Sequence, residues 1–393
     1  MDNIERIRDA FPALSQSCFL ASAGVGPLPQ ATLSVMEQAA TDLRASFAKA
    51  AWEQTPREQA RSLAAELIGA SAEEIVLTDS TSRGINLLAG TLPWKRGENI
   101  VSNDLEYPSN IFPWLYQADR HGLNVRMIRS RDGAVPLDEL LGAIDQNTRV
   151  VAISQVEFGT GCRNDIAAVA EAVHRVGGLI CVDAIQSLGV LRVDVADLGI
   201  DVLATGSYKW LCGPLGTGFA YIRQDTIDAL NPVTAAYANL PAPAEETVWN
   251  ALISGADYPM QHASLAAGWK RFEAQGLSPV LVKGMAASLR FFLDFGIERI
   301  ESRIAEMVDA AVDGLTRAGI EILSPIAPEK RSGILTVRVP FDLSQPEQVT
   351  ALEQRLEDAG IKAHPRAGGL RLSIHFFNTT EEIDQAVDFL QTL

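Results

Sequence analysis

The sequence predicts an α/β protein with a mostly parallel sheet flanked by helices, followed by a small α+β C-terminal domain. Two features of the 393-residue chain indicate this class. Between about residues 57 and 225, short apolar runs rich in β-branched residues alternate with segments of helical periodicity. After residue 285 the pattern changes to long amphipathic segments separated by two apolar runs. Strand–helix alternation is typical of a parallel sheet with helices on both faces.

The elements of the first region follow one another in a regular order. The runs that predict strands are "EIVLT" (74–78), "NIVSN" (99–103), "NVRMIRS" (124–130), "RVVAISQV" (149–156), "LICVDA" (179–184) and "DVLATG" (201–206). The segments that predict helices are "SRGINLLAGTL" (82–92), "PLDELLGAI" (136–144) and "DIAAVAEAVHRVGG" (165–178), which ends in a Gly-Gly helix stop. Ligands of such sheets bind at the carboxyl ends of the strands, so residues just after each run are candidate site residues.

The pattern after residue 285 predicts a smaller domain of helices and strands. Its predicted elements are the helix 296–319, the strand "GILTVRV" (333–339), the helix 346–360, the strand "GLRLSIHF" (369–376) and the helix 380–393. We therefore divide the chain into three parts. Residues 1–50 form an N-terminal segment that packs on the small domain or on a partner subunit. Residues 51–284 form the large ligand-binding domain, and residues 285–393 form the small domain.

Composition excludes several classes of protein. The formal net charge of −16 argues against a nucleic-acid binder, which needs a basic face. The N-terminus lacks the basic and apolar regions of a secretory signal, and no apolar run is long enough to span a membrane, so we expect a cytoplasmic protein with small-molecule partners. The four cysteines form no CxxC pair and the five histidines no HExxH motif, so we expect reduced thiols and no metal site.

Two charged residues end consecutive predicted strands. Asp183 closes "LICVDA", where a buried carboxylate needs a partner; a helix cap or a salt bridge is the simple alternative. Lys209 lies between Tyr208 and Trp210 after "DVLATG", and its alternative is a solvated loop lysine. Because both strands are parallel, the two side chains should enter one crevice. A lysine that is desolvated by aromatic neighbours has a lowered pKa, and a Schiff-base lysine with an aspartate near a pyridinium nitrogen is typical of pyridoxal phosphate (PLP) enzymes.

Other strand ends carry polar residues that suit the same cofactor. The stretch of Ser80, Thr81 and Ser82 precedes a predicted helix and would bind a phosphate, or simply cap the helix. Tyr107 would stack on an aromatic ring or pack locally. Gln155, in "ISQVEFGTG", would bond a ring hydroxyl or a loop. In the small domain, Arg371 interrupts an apolar strand and would bind a substrate carboxylate or form an internal ion pair.

Together these residues resemble the class V aminotransferase family, a branch of the fold type I PLP enzymes that includes cysteine desulfurases and isopenicillin-N-epimerase-like proteins. The resemblance runs from about residue 18 to the C-terminus and is strongest at "VDAIQSLG" and "GSYKWLCGPLGTGF". It implies pyridoxal 5'-phosphate bound by Lys209, with Asp183 at the pyridine nitrogen. The other roles that it implies are: Gln186 near the ring hydroxyl; Thr81 and Ser82 at the phosphate, helped by Ser207 or Tyr208; Arg371 at the substrate carboxylate; and Arg366 as a second anion contact.

The resemblance also shows where this sequence departs from the family. Tyr107 stands where many members have a stacking histidine, and Gln155 where many have an asparagine. The resemblance implies a homodimer. In it, a segment of the neighbouring subunit that corresponds to about 255–280 completes the phosphate site. The Gly-Thr expected after "RFEA" is missing, and Ser278 is its candidate replacement.

The sequence leaves the reaction open among several outcomes. The resemblance favours an enzyme that deprotonates the α-carbon of an amino acid, with transamination ranked first, β-eliminating C–S lyase activity close behind and epimerisation third. Desulfurases carry a sulfur-accepting cysteine just before the carboxylate-binding arginine. The four residues between Arg366 and Arg371 include no cysteine, and none follows Cys212, so we disfavour a persulfide-forming desulfurase. A non-catalytic binding module is also disfavoured, because the lysine, the aspartate and the arginine are all present.

Overall fold

The computed structural model describes residues 4–45, 55–232, 234–257, 264–273 and 276–393. Its strands are β1 Cys18–Phe19, β2 Ile75–Thr78, β3 Asn99–Asn103, β4 Asn124–Ile128, β5 Thr148–Ser154, β6 Leu179–Asp183, β7 Val202–Gly206, β8 Gly218–Ile222, β9 Ile334–Val337, β10 Ile361–Lys362, β11 His364–Arg366 and β12 Gly369–Ser373. Its α-helices are α1 Ile4–Asp9, α2 Gln30–Ala45, α3 Thr55–Ile68, α4 Thr81–Thr91, α5 Phe112–His121, α6 Leu137–Gly142, α7 Ile166–His174, α8 Gln224–Ala229, α9 Ala242–Ser254, α10 Pro279–Phe295, α11 Ile297–Arg317, α12 Pro346–Asp358 and α13 Thr380–Gln391.

Within the described residues, seven strands form the central sheet in the order β2-β8-β7-β6-β5-β3-β4. Strand β8 pairs antiparallel with both of its neighbours, and the other pairs are parallel. The predicted α/β class with a mostly parallel sheet is therefore confirmed. The sequence did not predict β8, because its "GFAYI" continues a glycine-rich stretch that is typical of turns. Gly218 is required there, since a Cβ would lie 2.2 Å from the carbonyl oxygen of Thr205.

The central strands are buried on both faces, which explains why they are continuous apolar runs. Along β6, Ile180 and Val182 belong to one apolar cluster, and Cys181 belongs to the other. Alternate side chains of a strand point to opposite faces, so each face is covered by its own layer of helices. On the Cys181 face, α4 lies very close to the sheet: a Cβ on Gly84 would lie 2.7 Å from the Cβ of Ala204. This close packing brings the beginning of α4 beside the end of β7.

The C-terminal part of the chain contains an antiparallel sheet in the order β11-β12-β9, and its helices α11 and α13 pack against each other. Strand β1 pairs with β10, and Ala21 bridges to Ser373 of β12, so the N-terminal segment adds to this part. Helix α10 packs against α2 and α3 and runs through the predicted boundary at 284, and the three-part division stays a prediction. In the described ranges, no helix is both long and apolar enough to cross a bilayer.

Candidate functional site

Asp183 is the last residue of β6 and is buried at the carboxyl edge of the central sheet. Its Oδ1 accepts a 2.9 Å hydrogen bond from the backbone N–H of Ile185. Burial raises the pKa of Asp183 to about 6, against the opposing effects of this hydrogen bond and of Lys209. The carboxyl group is therefore mostly ionised at neutral pH, with a cationic neighbour on the next strand connection.

Lys209 follows β7 and is only 8% exposed, unlike a solvated loop lysine. Burial lowers the pKa of Lys209 to about 8; Asp183 opposes this effect, whereas Arg371 and Arg366 lower the pKa further. An amine with this pKa is partly neutral at pH 7, and only the neutral form is nucleophilic or basic. Three other predicted site residues, Asp183, Arg371 and Arg366, are thus close enough to Lys209 to change its pKa.

The loop that carries Lys209 is held on both sides by buried hydrogen bonds. The indole Nε1 of Trp210 donates to Oε1 of Gln186 at 2.6 Å, and Nε2 of His375 donates to the Trp210 carbonyl at 2.9 Å. The amide Nε2 of Gln186 donates to the Ala23 carbonyl at 3.2 Å. Both ends of the Gln186 side chain therefore bind other parts of the protein, one of them directly beside Lys209.

The N-terminal segment closes against the same loop at Gly26. The N–H of Gly26 donates to the Tyr208 carbonyl at 2.8 Å. A Cβ at this position would lie 2.0 Å from the carbonyl oxygen of Lys209, so the approach requires a glycine. This contact places a segment more than 180 residues distant in sequence over the base of the lysine.

The beginning of α4 lies at the same edge of the sheet as Lys209. Strands β2 and β7 flank β8, and their last residues, Thr78 and Gly206, both pair with Gly218. Thr81 opens α4, and its Oγ1 is buried without a hydrogen-bond partner. Ser82 donates from its hydroxyl to Oγ of Ser109 at 2.9 Å. A helix N-terminus with an unpartnered hydroxyl is well suited to bind a phosphate.

Two tyrosines lie beside the lysine. Its Nζ is 5.6 Å from the ring centre of Tyr107 and 5.9 Å from that of Tyr208. Tyr107 is 45% exposed and contacts Phe158 edge-to-face, with ring centres 5.1 Å apart. Burial raises the pKa of Tyr208, so its hydroxyl stays protonated at neutral pH. The aromatic rings form walls of the crevice around Lys209.

Arg371 lies in β12 and is buried, whereas Arg366 is exposed at the end of β11. The Nη1 of Arg371 donates to the Phe158 carbonyl at 2.8 Å, and its Nε has no partner. Burial, then the neighbouring Arg366, lowers the pKa of Arg371 to about 10, which still leaves it charged. Among the described residues, neither arginine has a carboxylate partner. An internal ion pair at Arg371 is therefore absent from the described part of the chain.

Ser207 makes hydrogen bonds within its own turn, whereas the buried Oε1 of Gln155 has no hydrogen-bond partner among the described residues. The hydroxyl of Ser207 contacts Oγ1 of Thr217 at 2.6 Å and donates to the Pro214 carbonyl at 3.1 Å, which closes the glycine-rich turn. Gln155 borders a cavity of about 380 Å³ whose wall includes Ile153, on the sheet face opposite to Asp183. These contacts hold Ser207 in the turn and place Gln155 beside this cavity, and the predicted cofactor roles of both residues stay predictions.

Ser278 lies close to α4 of its own chain. It borders a cavity of about 230 Å³ together with Asp79 and Arg83. Part of the 255–280 segment that was predicted to complete a neighbour's phosphate site, namely 258–263 and 274–275, lies outside the described residues. The exchange of this segment between subunits stays a prediction.

A buried carboxylate pair behind Tyr107 was missed from the sequence. Glu106 accepts hydrogen bonds from the backbone N–H of Ser154 at 2.5 Å and from its hydroxyl at 2.7 Å. The Nδ2 of Asn103 donates to both Glu106 and Glu157 at 3.1 Å. Burial raises the pKa of Glu106 to about 7 and that of Glu157 well above its usual range. The two carboxyl groups therefore hold a proton at neutral pH. An acidic residue three positions after β3 and directly before Tyr107 was the available signal.

The cysteines are all buried. Burial raises the thiol pKa of Cys18 to about 12, that of Cys162 to about 11, and those of Cys181 and Cys212 well above the usual range. Cys212 lies three residues after Lys209, but its Sγ lies 3.8 Å from the Trp210 carbonyl. A protonated, buried thiol is a poor nucleophile.

The residues of the crevice fit PLP, the cofactor that the sequence resemblance implies. The unpartnered Oγ1 of Thr81 and the first N–H groups of α4 suit its phosphate. Asp183 supplies a buried anion for a ring nitrogen, and Lys209 supplies an amine with a lowered pKa. A phosphate-binding helix N-terminus, an anion for the ring nitrogen and an amine are therefore present at one edge of the sheet.

Comparisons with known proteins agree with this geometry. The chain matches the aminotransferase class V family over residues 18–386. It is 29% identical to a probable cysteine desulfurase of Methanothermobacter thermautotrophicus, over 99% of this chain and 98% of that protein. It is 28% identical to an uncharacterized aminotransferase of Bacillus subtilis, over 98% and 96% of the two chains. The family resemblance that the two motifs predicted is confirmed.

A solved structure gives the same fold. The apo cysteine desulfurase of Thermococcus onnurineus NA1 superposes with a TM-score of 0.87 and covers 100% of this chain and 99% of its own, at 24% identity. That likeness concerns the fold and confirms the predicted fold type I architecture. The reaction has to be argued from the residues of the crevice.

Proposed function

Because the chain belongs to the class V aminotransferase family of PLP-dependent enzymes, we propose that it removes the α-proton of an amino-acid substrate and completes a transamination. One observation carries this proposal. The amine of Lys209 is buried, has a lowered pKa and interacts electrostatically with Asp183 and with Arg371, which has no carboxylate partner among the described residues. A base, an anion and a carboxylate-binding group are what α-proton removal from an amino acid requires.

The same residues would hold the cofactor. Lys209 would attach it covalently, Asp183 would keep its ring nitrogen protonated, and Thr81 with Ser82 would bind its phosphate at the start of α4. Tyr107 would lie against its ring. When bound, PLP supplies an electron sink for the electrons that remain at the α-carbon.

Arg371 would orient the substrate through its α-carboxylate. A guanidinium binds a carboxylate through two parallel hydrogen bonds, and such charge-assisted contacts are about twice as strong as neutral ones. The hydrogen bond from Nη1 to the Phe158 carbonyl fixes the plane of the guanidinium, and the unpartnered Nε remains for the ligand. With the carboxylate bound there, the α-carbon of the substrate would face the lysine.

Lys209 would act as the base. With a pKa of about 8, its Nζ is neutral in a substantial fraction of molecules at pH 7 and can accept the α-proton. In transamination, Lys209 delivers the proton to an atom other than the α-carbon; in epimerisation it would return it to the α-carbon.

β-Elimination from a sulfur-containing amino acid is the second candidate. The relative of Methanothermobacter named probable cysteine desulfurase supports this candidate, since its similarity extends over 99% of this chain. The same relative does not support our exclusion of a persulfide-forming desulfurase. That exclusion stays a prediction from the sequence, which has no cysteine between Arg366 and Arg371 and none after Cys212. An assay for enzyme-bound persulfide tests it.

We also infer a homodimer. Large apolar side chains are exposed on two helices: Phe112 and Tyr116 on α5, and Trp249, Leu252 and Ile253 on α9. Exposed apolar surface of this kind is typical of protein–protein interfaces. Sedimentation analysis tests the inference, and a monomer at micromolar concentration would contradict it.

A panel of amino acids tests the proposed reaction. The holoenzyme is incubated with each amino acid and with an isotopically labelled 2-oxo acid as the acceptor of the amino group. The products are identified by mass spectrometry. Transamination gives the oxo acid of the substrate and labels a new amino acid. If pyruvate and sulfide form and no labelled amino acid appears, the reaction is elimination and the proposal of transamination is wrong. Inverted stereochemistry alone would indicate an epimerase.

A further inference from the structure

Glu106 is buried in the turn after β3 and fixes this turn to the neighbouring strand β5. Its Oε1 accepts the backbone N–H of Ser154, the last residue of β5, at 2.5 Å, and its Oε2 accepts the Ser154 hydroxyl at 2.7 Å. Oε2 also accepts a hydrogen bond from Nδ2 of Asn110 at 2.9 Å. The backbone N–H of Asn110 donates to the Tyr107 carbonyl at 2.8 Å. One carboxyl group therefore holds both ends of the turn 106–110 against the central sheet.

This turn presents two contacts to the crevice. The ring centre of Tyr107, the residue after Glu106, lies 5.6 Å from Nζ of Lys209. The hydroxyl of Ser109 accepts a 2.9 Å hydrogen bond from Ser82, in the first turn of α4. A side chain that fixes a turn also fixes the groups that the turn carries. Glu106 is therefore linked through one turn to the expected ring contact and to the expected phosphate contact of the cofactor.

Three asparagine amides fix which groups face Glu106 and Glu157. The Oδ1 of Asn103 accepts a backbone N–H of the turn at 2.8 Å, and the Oδ1 of Asn110 accepts an indole N–H of α5 at 3.2 Å. The Nδ2 of Asn164 donates to the backbone carbonyl at the end of β5 at 2.9 Å. Each amide thus has its orientation set by another contact. Each therefore presents its NH₂ group, a donor and never an acceptor, to the glutamates.

These donors are shared unequally between the two carboxyl groups. Glu106 accepts four hydrogen bonds, two at each oxygen. Glu157 accepts two, from Asn103 and Asn164, both at Oε1, and its buried Oε2 has no partner in the described part of the chain. Donors stabilise an ionised carboxylate, so a proton is held best on the unpartnered oxygen. Burial and the charge of Glu106 also raise the pKa of Glu157 well above its usual range. The proton of the pair therefore belongs to Glu157.

We propose that the ionised Glu106 is a positioning residue for the cofactor, which holds Tyr107 at the ring and, through Ser109, holds Ser82 at the phosphate, with Glu157 as its neutral partner. This inference rests on the proposed function, in which Tyr107 and Ser82 contact PLP. A glutamine at position 106 would turn its NH₂ group toward fixed N–H donors in either orientation. A glutamine at position 157 would keep the acceptor at Oε1 and place its NH₂ group where Glu157 carries the proton.

Binding of pyridoxine 5'-phosphate to the apoenzyme tests the proposal. This analogue has no aldehyde and cannot react with Lys209, so calorimetry reports the non-covalent contacts alone. We expect Glu106→Gln to raise the Kd by about 10-fold or more, as loss of an outer contact that orients a binding group does, and Glu157→Gln to change it less than about two-fold. Circular dichroism shows whether both variants fold. An unchanged Kd in Glu106→Gln, or an equal increase in both variants, would contradict the proposal.

A double-variant cycle tests whether Glu106 acts through its turn. Tyr107→Ala/Ser109→Ala removes both contacts that the turn presents and should weaken binding of the analogue by itself. In this background Glu106→Gln should have little further effect, because residues that act through one another are not additive. A further increase in Kd as large as in wild type would overturn the positioning role. If Glu106→Gln does not fold, Ser154→Ala, which removes one donor and keeps the carboxylate, takes its place in the cycle with a smaller expected effect.

The binding data separate this inference from the proposed function. Wild type that turns over no amino acid, while affinity for the analogue depends on Glu106 through its turn, would refute the proposed reaction and leave the positioning role standing. The opposite result is turnover of amino acids together with wild-type affinity in Tyr107→Ala/Ser109→Ala. In that case the positioning role is wrong and the reaction stands.

Discussion

The carboxyl edge of the central sheet and the β11–β12 hairpin contribute different kinds of residue to one crevice. At the sheet edge, Asp183 and Lys209 are buried between packed layers, and burial moves the pKa of each toward neutrality. On the hairpin, Arg371 keeps its charge at physiological pH, and the exposed Arg366 follows at the end of the neighbouring strand. In the proposed function, proton transfer belongs to the buried sheet edge, and substrate binding belongs to the hairpin.

The strongest test of this division is Lys209→Ala. The variant loses both the covalent attachment point and the base, so turnover should fall by more than about 10³-fold. Steady-state assays measure the loss, and circular dichroism checks the fold. Lys95→Ala, an exposed lysine in a turn, is the matched control and should keep full activity. Turnover within ten-fold of wild type would remove Lys209 from the chemistry.

Asp183→Asn should have the next largest effect. The variant keeps the shape of the side chain but removes the buried anion, so kcat should fall by about 10²–10³-fold. The visible absorption of the holoenzyme should change as well, because the ring nitrogen loses its proton. Asp225→Asn, at an exposed site in α8, controls for a general effect of charge. An unchanged spectrum and rate would assign Asp183 to a structural role.

The two regions also differ in how far the sequence predicted them. Asp183 and Lys209 were found because strands buried on both faces are apolar runs whose ends meet at one edge. Glu106 and His375 were missed because their roles depend on distant partners: Ser154 lies 48 residues from Glu106, and Trp210 lies 165 residues from His375. Such contacts arise from tertiary packing, which no local pattern records.

On the hairpin, Arg371→Gln should act mainly on binding. Loss of the bidentate carboxylate contact should raise KM by about 10- to 100-fold, because a charged hydrogen bond contributes about 1.5–3 kcal/mol. The kcat should fall less than KM rises, since Lys209 and Asp183 remain in place. Michaelis–Menten analysis with one amino acid separates the two constants. A fall in kcat alone would place Arg371 in the chemical step. It would contradict the division between proton transfer at the sheet edge and substrate binding on the hairpin.

A smaller effect is expected in the pH dependence of cofactor binding. Lys209 reacts with PLP only as the neutral amine, so the rate of reconstitution of the apoenzyme should rise with pH through the pKa of about 8. The increase should be about five-fold between about pH 7 and pH 8, and the rate should level above about pH 9. Free Nα-acetyl-lysine, measured in parallel, corrects for the titration of PLP itself. A rate that keeps rising about ten-fold per unit beyond about pH 9 would mean an unshifted lysine.

The most direct test of the central claim, that Lys209 removes the α-proton, is hydrogen exchange at the substrate. Proton NMR follows the α-proton signal of an amino acid incubated with the holoenzyme in D₂O. Exchange precedes the choice among transamination, elimination and epimerisation, so the result does not depend on the final product. We expect wild type to exchange the α-proton for deuterium and Lys209→Ala, loaded with PLP, to leave it in place. Equal exchange by the two proteins would contradict the account.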